Sequence, residues 1–329
     1  MEIFSEVSYG FESVAIKQKK NKCTSRLDAN TSSEVIRGVF VDIPLIASNM
    51  STVINSDFYI KLIRAGAFGF LHRALPEEVY LQEVSKVARE CDRVAVSIGV
   101  GESQDDLASR LIIEGANIIL IDIAHGYSNP VIELGRKLKR KFNHIKMVVG
   151  NTTNVEMMYE VADFADAVKV GIAQGYACET KNTAGCTEKQ FSAVLKFKEV
   201  SKRLGIPIIS DGGTREPADF TKAIGAGANS VMAGSIFAAC PESAAKIVEV
   251  GGRTKKLYAG MASEYVQSEW KGGLKKGTCA EGGVRYLDVG VSVEKLLETY
   301  QGALRTGISY AGGVDIESFQ REVEWIRLV

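Results

Sequence analysis

The chain has no excess of charge of either sign, no long apolar run and no paired cysteines. Its 329 residues carry 40 Lys plus Arg against 40 Asp plus Glu, a formal net charge of zero. A neutral chain offers no basic surface to nucleic acid or to an anionic membrane, so neither is expected as a partner. The longest apolar runs, such as residues 117–124, fall far short of the ~20 residues that cross a bilayer. The opening MEIFSEVSYGFES has no basic stretch followed by an apolar one, so no secretory leader is expected. The six cysteines, Cys23, Cys91, Cys178, Cys186, Cys240 and Cys279, are scattered and form no CxxC. Cys178 and Cys186 have no histidine nearby, which is poor spacing for zinc ligands. A disulfide scaffold and a structural zinc site are therefore not expected, and the cysteine usage fits a reducing compartment, the cytoplasm.

What is present is a strongly alternating α/β pattern. The chain is 46% hydrophobic and 24% charged, enough to bury a sizeable core and keep a polar surface. Residues 1–38 read as a polar, solvated leader segment with lysines concentrated at 17–22. Apolar, β-rich runs follow at 39–47, 67–71, 94–100, 118–123, 146–149, 167–172, 207–210 and 230–233. Between them lie amphipathic, helix-length segments at 57–65, 76–89, 104–114, 130–142, 155–162, 188–204 and 217–224. Buried parallel strands alternating with helices are βαβ units, and eight of them predict a closed (β/α)8 TIM barrel in one domain spanning 1–329. A doubly wound sheet is the rival fold. Residues 251–290 break the alternation with a Gly/Lys-rich stretch. So long a loop after the eighth strand predicts a flap over the barrel mouth. A helix at 293–306 and a tail at 307–329 complete the chain.

The candidate chemistry sits where the strands end. The sixth strand runs into a loop with Gly175, Cys178, Thr180 and Gly185, and Thr187-Glu188-Lys189-Gln190 has the spacing of a helix capping box. A barrel presents reactive side chains at this end of its strands. Cys178 reads as a structural loop thiol or as a nucleophile, and the residues alone leave both open. The seventh strand ends in Ser210-Asp211-Gly212-Gly213 and the eighth in Ala233-Gly234-Ser235. Two glycine turns at these strands suit a phosphate group. Asp211 reads as a turn residue or as an acceptor for ribose hydroxyls. His125, in Asp122-Ile123-Ala124-His125-Gly126, reads as a turn histidine or a general base. Asn49 at the barrel mouth and Glu281 in the flap are equally two-sided.

Taken together, these motifs resemble the IMP dehydrogenase and GMP reductase family over nearly the whole chain. The matching stretches include residues 46–50, His72-Arg73, residues 122–128, 149–151, 169–172, Cys178 to Thr180, 210–213, 232–235, 258–264, 280–282 and 308–313. Three features place the chain on the reductase side. Leu71-His72-Arg73 leads through one helix into Val94, leaving no room for the regulatory modules that dehydrogenases insert. The flap carries Ser268-Glu269-Trp270-Lys271-Gly272-Gly273 where the dehydrogenases carry an Arg-Tyr pair, and the short tail ends in Ile308-Ser309-Tyr310-Ala311-Gly312-Gly313. The resemblance implies an NADPH-dependent reductive deamination of GMP to IMP and ammonia through a cysteine adduct at purine C2. Cys178 would be the nucleophile, with Thr180 and Glu281 handling protons. Asp211 would hold the ribose, and Gly213, Gly234, Ser235 and Tyr258 the phosphate. Gly260, Met261, Ala262 and Ser263 would contact the base, and His72, Arg73, Asp122 and Ala124 the nicotinamide nucleotide. The family also implies a homotetramer and a monovalent cation, K+, at the Gly175 and Cys178 carbonyls. Alternatives are a paralogue using another purine nucleotide, a dehydrogenase without regulatory modules, and a nucleotide binder without turnover.

The chain departs from the family around the nucleophile. Gly171-Ile172-Ala173-Gln174-Gly175-Tyr176 stands where Gly-Ile-Gly-Pro-Gly-Ser is usual. Tyr176 thus replaces a serine that would donate to phosphate. Ala173 replaces a turn glycine, where a Cβ is costly if φ is positive. Glu179 replaces a neutral neighbour of Cys178, and a nearby carboxylate is expected to raise a thiol pKa. Ser51 replaces a frequent Asp or Gln. With the serine gone, the phosphate is expected to lean on backbone N–H groups of the Gly212-Gly213 and Gly234-Ser235 turns.

Overall fold

The computed structural model describes residues 7–328. The opening residues of the leader reading and the last residue of the tail lie outside the described residues. Eight parallel strands form one sheet: β1 (Leu45–Ala47), β2 (Phe68–Gly69), β3 (Ala95–Ile98), β4 (Ile118–Asp122), β5 (Lys146–Thr152), β6 (Ala167–Val170), β7 (Ile208–Asp211) and β8 (Ser230–Ala233). Their lateral order is β2-β1-β8-β7-β6-β5-β4-β3. The two ends meet through Leu71, whose N–H donates to Ala95 O at 2.9 Å and whose carbonyl accepts from Ser97 N at 3.0 Å. That parallel bridge brings the sheet round into the expected (β/α)8 barrel.

Helices α1 (Ser56–Arg64), α2 (Glu77–Ala88), α3 (Gln104–Ile113), α4 (Asn129–Lys141), α5 (Met157–Glu160), α6 (Gln190–Leu204), α7 (Pro217–Gly225) and α8 (Val293–Tyr310) follow the strands in turn. Each longer helix presents an apolar stripe to the sheet; in α4 this is Val131, Ile132, Leu134 and Leu138. The strands are apolar because helices cover their outer faces and side chains fill the barrel. Ile118, Ile119, Leu120 and Ile121 of β4 are all buried.

Three expectations change. First, residues 39–47 are not one strand. Val39–Val41 pairs antiparallel with Ser33–Ile36 outside the barrel, and the chain turns before β1. Pro44 sits in that turn; it has no N–H for a ladder and fixes its own φ. Second, the segment before residue 38 is not a solvated leader. Phe11 and Val14 are buried. Val14–Ile16 pairs antiparallel with Trp325–Arg327, and Trp325 packs edge-on against Phe191 of α6 at 4.7 Å. The two ends of the chain thus brace one side of the barrel. Third, Thr187 caps no helix. Helix α6 starts at Gln190, while the Thr187 hydroxyl donates to Ile172 O at 3.2 Å and accepts from Gln174 Nε2 at 2.7 Å. The threonine closes the cysteine loop instead.

The stretch 251–290 is ordered. Ile247–Val250, Arg253–Ala259 and Val284–Asp288 form an antiparallel sheet, and helix Glu264–Lys271 lies between the last two strands. Ser263 caps that helix by accepting from Val266 N at 3.2 Å, and Gly272 ends it in the left-handed region. Two of the three strands have no buried residue, so they lack the apolar alternation that marks a strand in a sequence. Among the described residues, no helix is long and apolar enough to cross a membrane. All six cysteines are free thiols.

Candidate functional site

The carboxyl ends of the strands surround a cavity of about 300 Å³. Its wall takes residues from the loops after β1, β4, β6, β7 and β8, from the segment after β2 and from the flap. Of the residues singled out above, Arg73, Asp122, Ala124, Gly175, Cys178, Thr180, Asp211, Gly213, Gly234, Ser235, Tyr258, Gly260, Met261, Ala262 and Glu281 all line it. His72 and Ser263 do not. His72 is buried behind the wall, where its Nδ1 accepts from Ala74 N at 3.1 Å and burial pulls the imidazole down to about 4. A neutral ring can make that bond, since its Nδ1 lone pair is free. Ser263 is spent on capping the flap helix. His125 is exposed on the rim.

Cys178, Thr180 and Glu281 form a chain of contacts. The Cys178 sulfur lies 3.2 Å from Thr180 Oγ1, which donates to Glu281 Oε2 at 2.8 Å. A hydroxyl has one hydrogen, so a threonine that donates to the carboxylate must accept from the thiol. The arrangement is S–H to Oγ1, then O–H to carboxylate. Backbone bonds hold it: Glu179 N donates to Glu281 O at 2.8 Å, Gly283 N to Ala177 O at 2.8 Å, and Glu281 N to Ala262 O at 3.1 Å. Flap and cysteine loop therefore run side by side as a short antiparallel bridge. Close backbone approach makes this possible. A methyl group on Gly282 would meet Ser263 N at 2.9 Å and Gly260 Cα at 3.1 Å.

The floor holds a charged triad. Lys169, a buried cation in the middle of apolar β6, reaches Asp122 Oδ1 at 2.7 Å and Asp211 Oδ2 at 2.6 Å. Burial opposes its charge, but Asp122 and Asp211 outweigh burial and hold the ammonium well above the usual lysine range. Burial likewise works to raise Asp122, and Lys169 and Arg73 overcome it, so its carboxyl lies below the ordinary value. Asn49 donates to Asp122 Oδ2 at 2.9 Å, and Asn151 to Asp211 Oδ2 at 3.0 Å. Asn49 thus orients a floor carboxylate. Lys169 is the residue that sequence reading missed as part of the site. Its signal was a lone charge inside the run 167–172.

At the other end, the expected backbone donors are partly engaged. Gly213 N donates to Gln174 O at 3.0 Å and Gly212 N to Met232 O at 3.4 Å. The Gly212-Gly213 turn therefore braces the cysteine loop through Gly213 and β8 through Gly212, and does not offer these N–H groups to a ligand. Tyr258, buried beside Gly234, donates to Met50 Sδ at 3.6 Å, and burial pushes its phenol up. Ala173 does adopt a positive φ, +61°. Glu179 turns away from the thiol. Its carboxylate accepts from Asn182 Nδ2 at 2.6 Å and is ion-paired with Arg285, and these partners lower its pKa. Gly175 O accepts from Cys178 N at 3.0 Å, which leaves this carbonyl partly occupied toward any cation. Beyond Arg73 the cavity reaches Trp270 of the flap, with the guanidinium 5.6 Å from the indole centroid.

Fold and site together define a (β/α)8-barrel protein with a loop thiol hydrogen-bonded toward a flap carboxylate, above a cleft floored by charge. A family model described as the IMP dehydrogenase / GMP reductase domain matches residues 8–329, and the chain belongs to that family. Among curated relatives, it is 36% identical over 310 residues to a GMP reductase of Streptococcus agalactiae, covering 93% of this chain and 91% of the relative. It is 30% identical over 334 residues to GMP reductase 2 of Homo sapiens, covering 99% and 96%. It is 28% identical over 336 residues to a GMP reductase of Onchocerca volvulus, covering 99% and 92%.

Proposed function

We propose that this chain catalyses the NADPH-dependent reductive deamination of GMP to IMP and ammonia, as one catalytic barrel with the flap at 251–290. The observation that carries the reading is the Cys178–Thr180–Glu281 chain, at 3.2 and 2.8 Å, on the wall of the cavity. The names of the relatives support it.

In this reading the thiol proton passes through Thr180 to Glu281, and the thiolate adds to C2 of the guanine. The same two residues return a proton to the C2 amino group, which leaves as ammonia. NADPH, when bound, would supply the hydride for C2. Cys178 then departs as thiolate, leaving the C2–H of IMP. The balance is one hydride and two protons in, and one ammonium out. Arg73, Ala124 and Trp270 fit a nicotinamide nucleotide at one end of the cavity, offering a cation and an aromatic face beside an open edge. Asp122, held by Lys169 and Asn49, would border the nicotinamide nucleotide. Asp211 would accept from ribose hydroxyls, and Gly234, Ser235 and Tyr258 would surround the phosphate. Met261 and the Gly260 and Ala262 backbone flank the base. The Gly175 and Cys178 carbonyls would contribute to a K+ site, and no step above depends on one. Homotetramer assembly and a cytoplasmic location complete the reading.

The test is purified protein with GMP and NADPH, following the loss of nicotinamide absorbance together with IMP formation. Cys178→Ala should abolish both and leave the circular dichroism spectrum intact, while exposed Cys186→Ala stays near wild type. Oxidation of IMP with NAD+ in place of GMP reduction would replace this reading with the dehydrogenase one.

A further inference from the structure

The substrate end of the cavity has a feature that the reaction itself does not require. Tyr176, which replaces the usual serine of the cysteine loop, is 41% exposed, and two guanidinium groups lie over its ring. Arg215 is 5.2 Å and Arg285 5.9 Å from the ring centroid. Arg285 is neutralised by Glu179. Arg215 has no carboxylate within ion-pair distance of its side chain among the described residues, and it lines the cavity directly after Gly213 and Thr214. Next to it, Thr214 is 5% exposed and belongs to the wall of the same cavity, and its Oγ1 has no hydrogen-bond partner. A buried hydroxyl without a partner is costly unless a ligand completes it. The Gly212 and Gly213 N–H groups cannot do the work, because both donate within the protein.

We infer that Arg215, stacked on Tyr176, and the Thr214 hydroxyl form a cationic subsite for the phosphate of the nucleotide, replacing the loop serine and the Gly212 and Gly213 N–H groups with a charged fork. This rests on the proposed GMP reaction only for the choice of nucleotide. The subsite itself recognises a terminal phosphate monoester on a purine nucleoside. A guanidinium is suited to this: its planar N–H pairs match two phosphate oxygens, and its face stacks on a ring. Tyr176 then acts as the platform that fixes the fork. Its hydroxyl need not reach the phosphate, which accounts for a large residue where a small donor is usual.

The experiment compares GMP with guanosine by isothermal titration in the wild type and in Arg215→Ala, Arg215→Lys and Tyr176→Ser, at two salt concentrations. The readout is the ratio of the two dissociation constants. Charge-assisted hydrogen bonds of about 1.5–3 kcal/mol correspond to a roughly 10- to 150-fold loss. Arg215→Ala should therefore shrink the ratio by that factor, weakening GMP while leaving guanosine unchanged. Arg215→Lys should keep part of it, and Tyr176→Ser should lose roughly 2- to 5-fold. Raising the salt should weaken GMP binding in the wild type much more than in Arg215→Ala. With turnover, the Arg215→Ala defect should appear in KM and not in kcat. An unchanged ratio in Arg215→Ala, or equal weakening of GMP and guanosine, overturns the inference. If the wild type forms no IMP yet shows the Arg215-dependent ratio, the proposed reaction falls and the phosphate subsite stands.

Discussion

Lys169→Met isolates the charge on the cavity floor, because methionine keeps much of the lysine stem and removes the ammonium. In the native chain Nζ stands 2.7 Å from Asp122 and 2.6 Å from Asp211, with the lysine side chain 4% exposed and each aspartate 20%. Removing one partner of a buried ion pair costs about 3–5 kcal/mol. Each carboxylate keeps one amide partner, Asn49 or Asn151, so the lower end applies, about 3 kcal/mol at neutral pH. With roughly 2 cal/mol/K of unfolding entropy per residue, that is about 4 °C in Tm for a chain of this length. The pH dependence identifies the cause. In the native protein the Asp122 pKa lies below its unfolded value. Its contribution to stability is present above the unfolded pKa, near 4, and is lost as pH falls through the lower folded value. Without Lys169, only Arg73 and Asn49 oppose burial, so the Asp122 pKa rises from its native value. The penalty is then absent below both folded values and grows as pH rises through them. Urea denaturation of both proteins at neutral pH and below the ordinary carboxylate range reads this directly. A deficit of the same size at both pH values would refute the electrostatic account and assign the loss to packing.

Three further outcomes are expected. Thr180→Val is close to isosteric and cuts the path from Cys178 to Glu281; it should lower kcat about 10²- to 10⁴-fold with GMP affinity nearly unchanged, and single-turnover measurements showing less than a tenfold drop would remove Thr180 from the relay. Gly234→Ala places a methyl 2.4 Å from the Tyr258 hydroxyl; it should destabilise by about 1–3 kcal/mol and weaken nucleotide binding, with partial recovery in the double variant with Tyr258→Phe, measured by thermal melts and titration. Ala173→Gly relieves a φ of +61° and should raise stability by about 0.5–1 kcal/mol in chemical denaturation; a loss of stability would show that the Ala173 methyl is held by favourable packing.

The barrel was legible because its signals are local. Eight apolar runs at βα spacing, helix stripes and glycine turns at strand ends follow from backbone periodicity and from which side chains water excludes. The same locality placed Cys178, Thr180 and Asp211 at the mouth. It failed where the determinant is a distant partner. Residues 39–47 look like one strand until Pro44 and the Ser33–Ile36 partner divide them. Phe11 and Val14 sit in a polar stretch and find cover only because Trp325–Arg327 returns beside them.

The site divides the same way. Sequence alone determined which residue types stand at the ends of the strands, because each βα turn carries its own glycine, carboxylate or thiol. Only the tertiary structure decided how they pair. Lys169 of β6 meets Asp122 of β4 and Asp211 of β7, and Glu281 meets Thr180 across 101 residues of chain. The Gly213 N–H turned out to be spent on Gln174, and Glu179 was drawn off the thiol by Arg285. The physical reason is that a hydrogen bond or an ion pair is set by distances of about 3 Å between atoms. Distances of that kind between remote residues exist only once the barrel has closed and the flap has laid Glu281 beside Cys178.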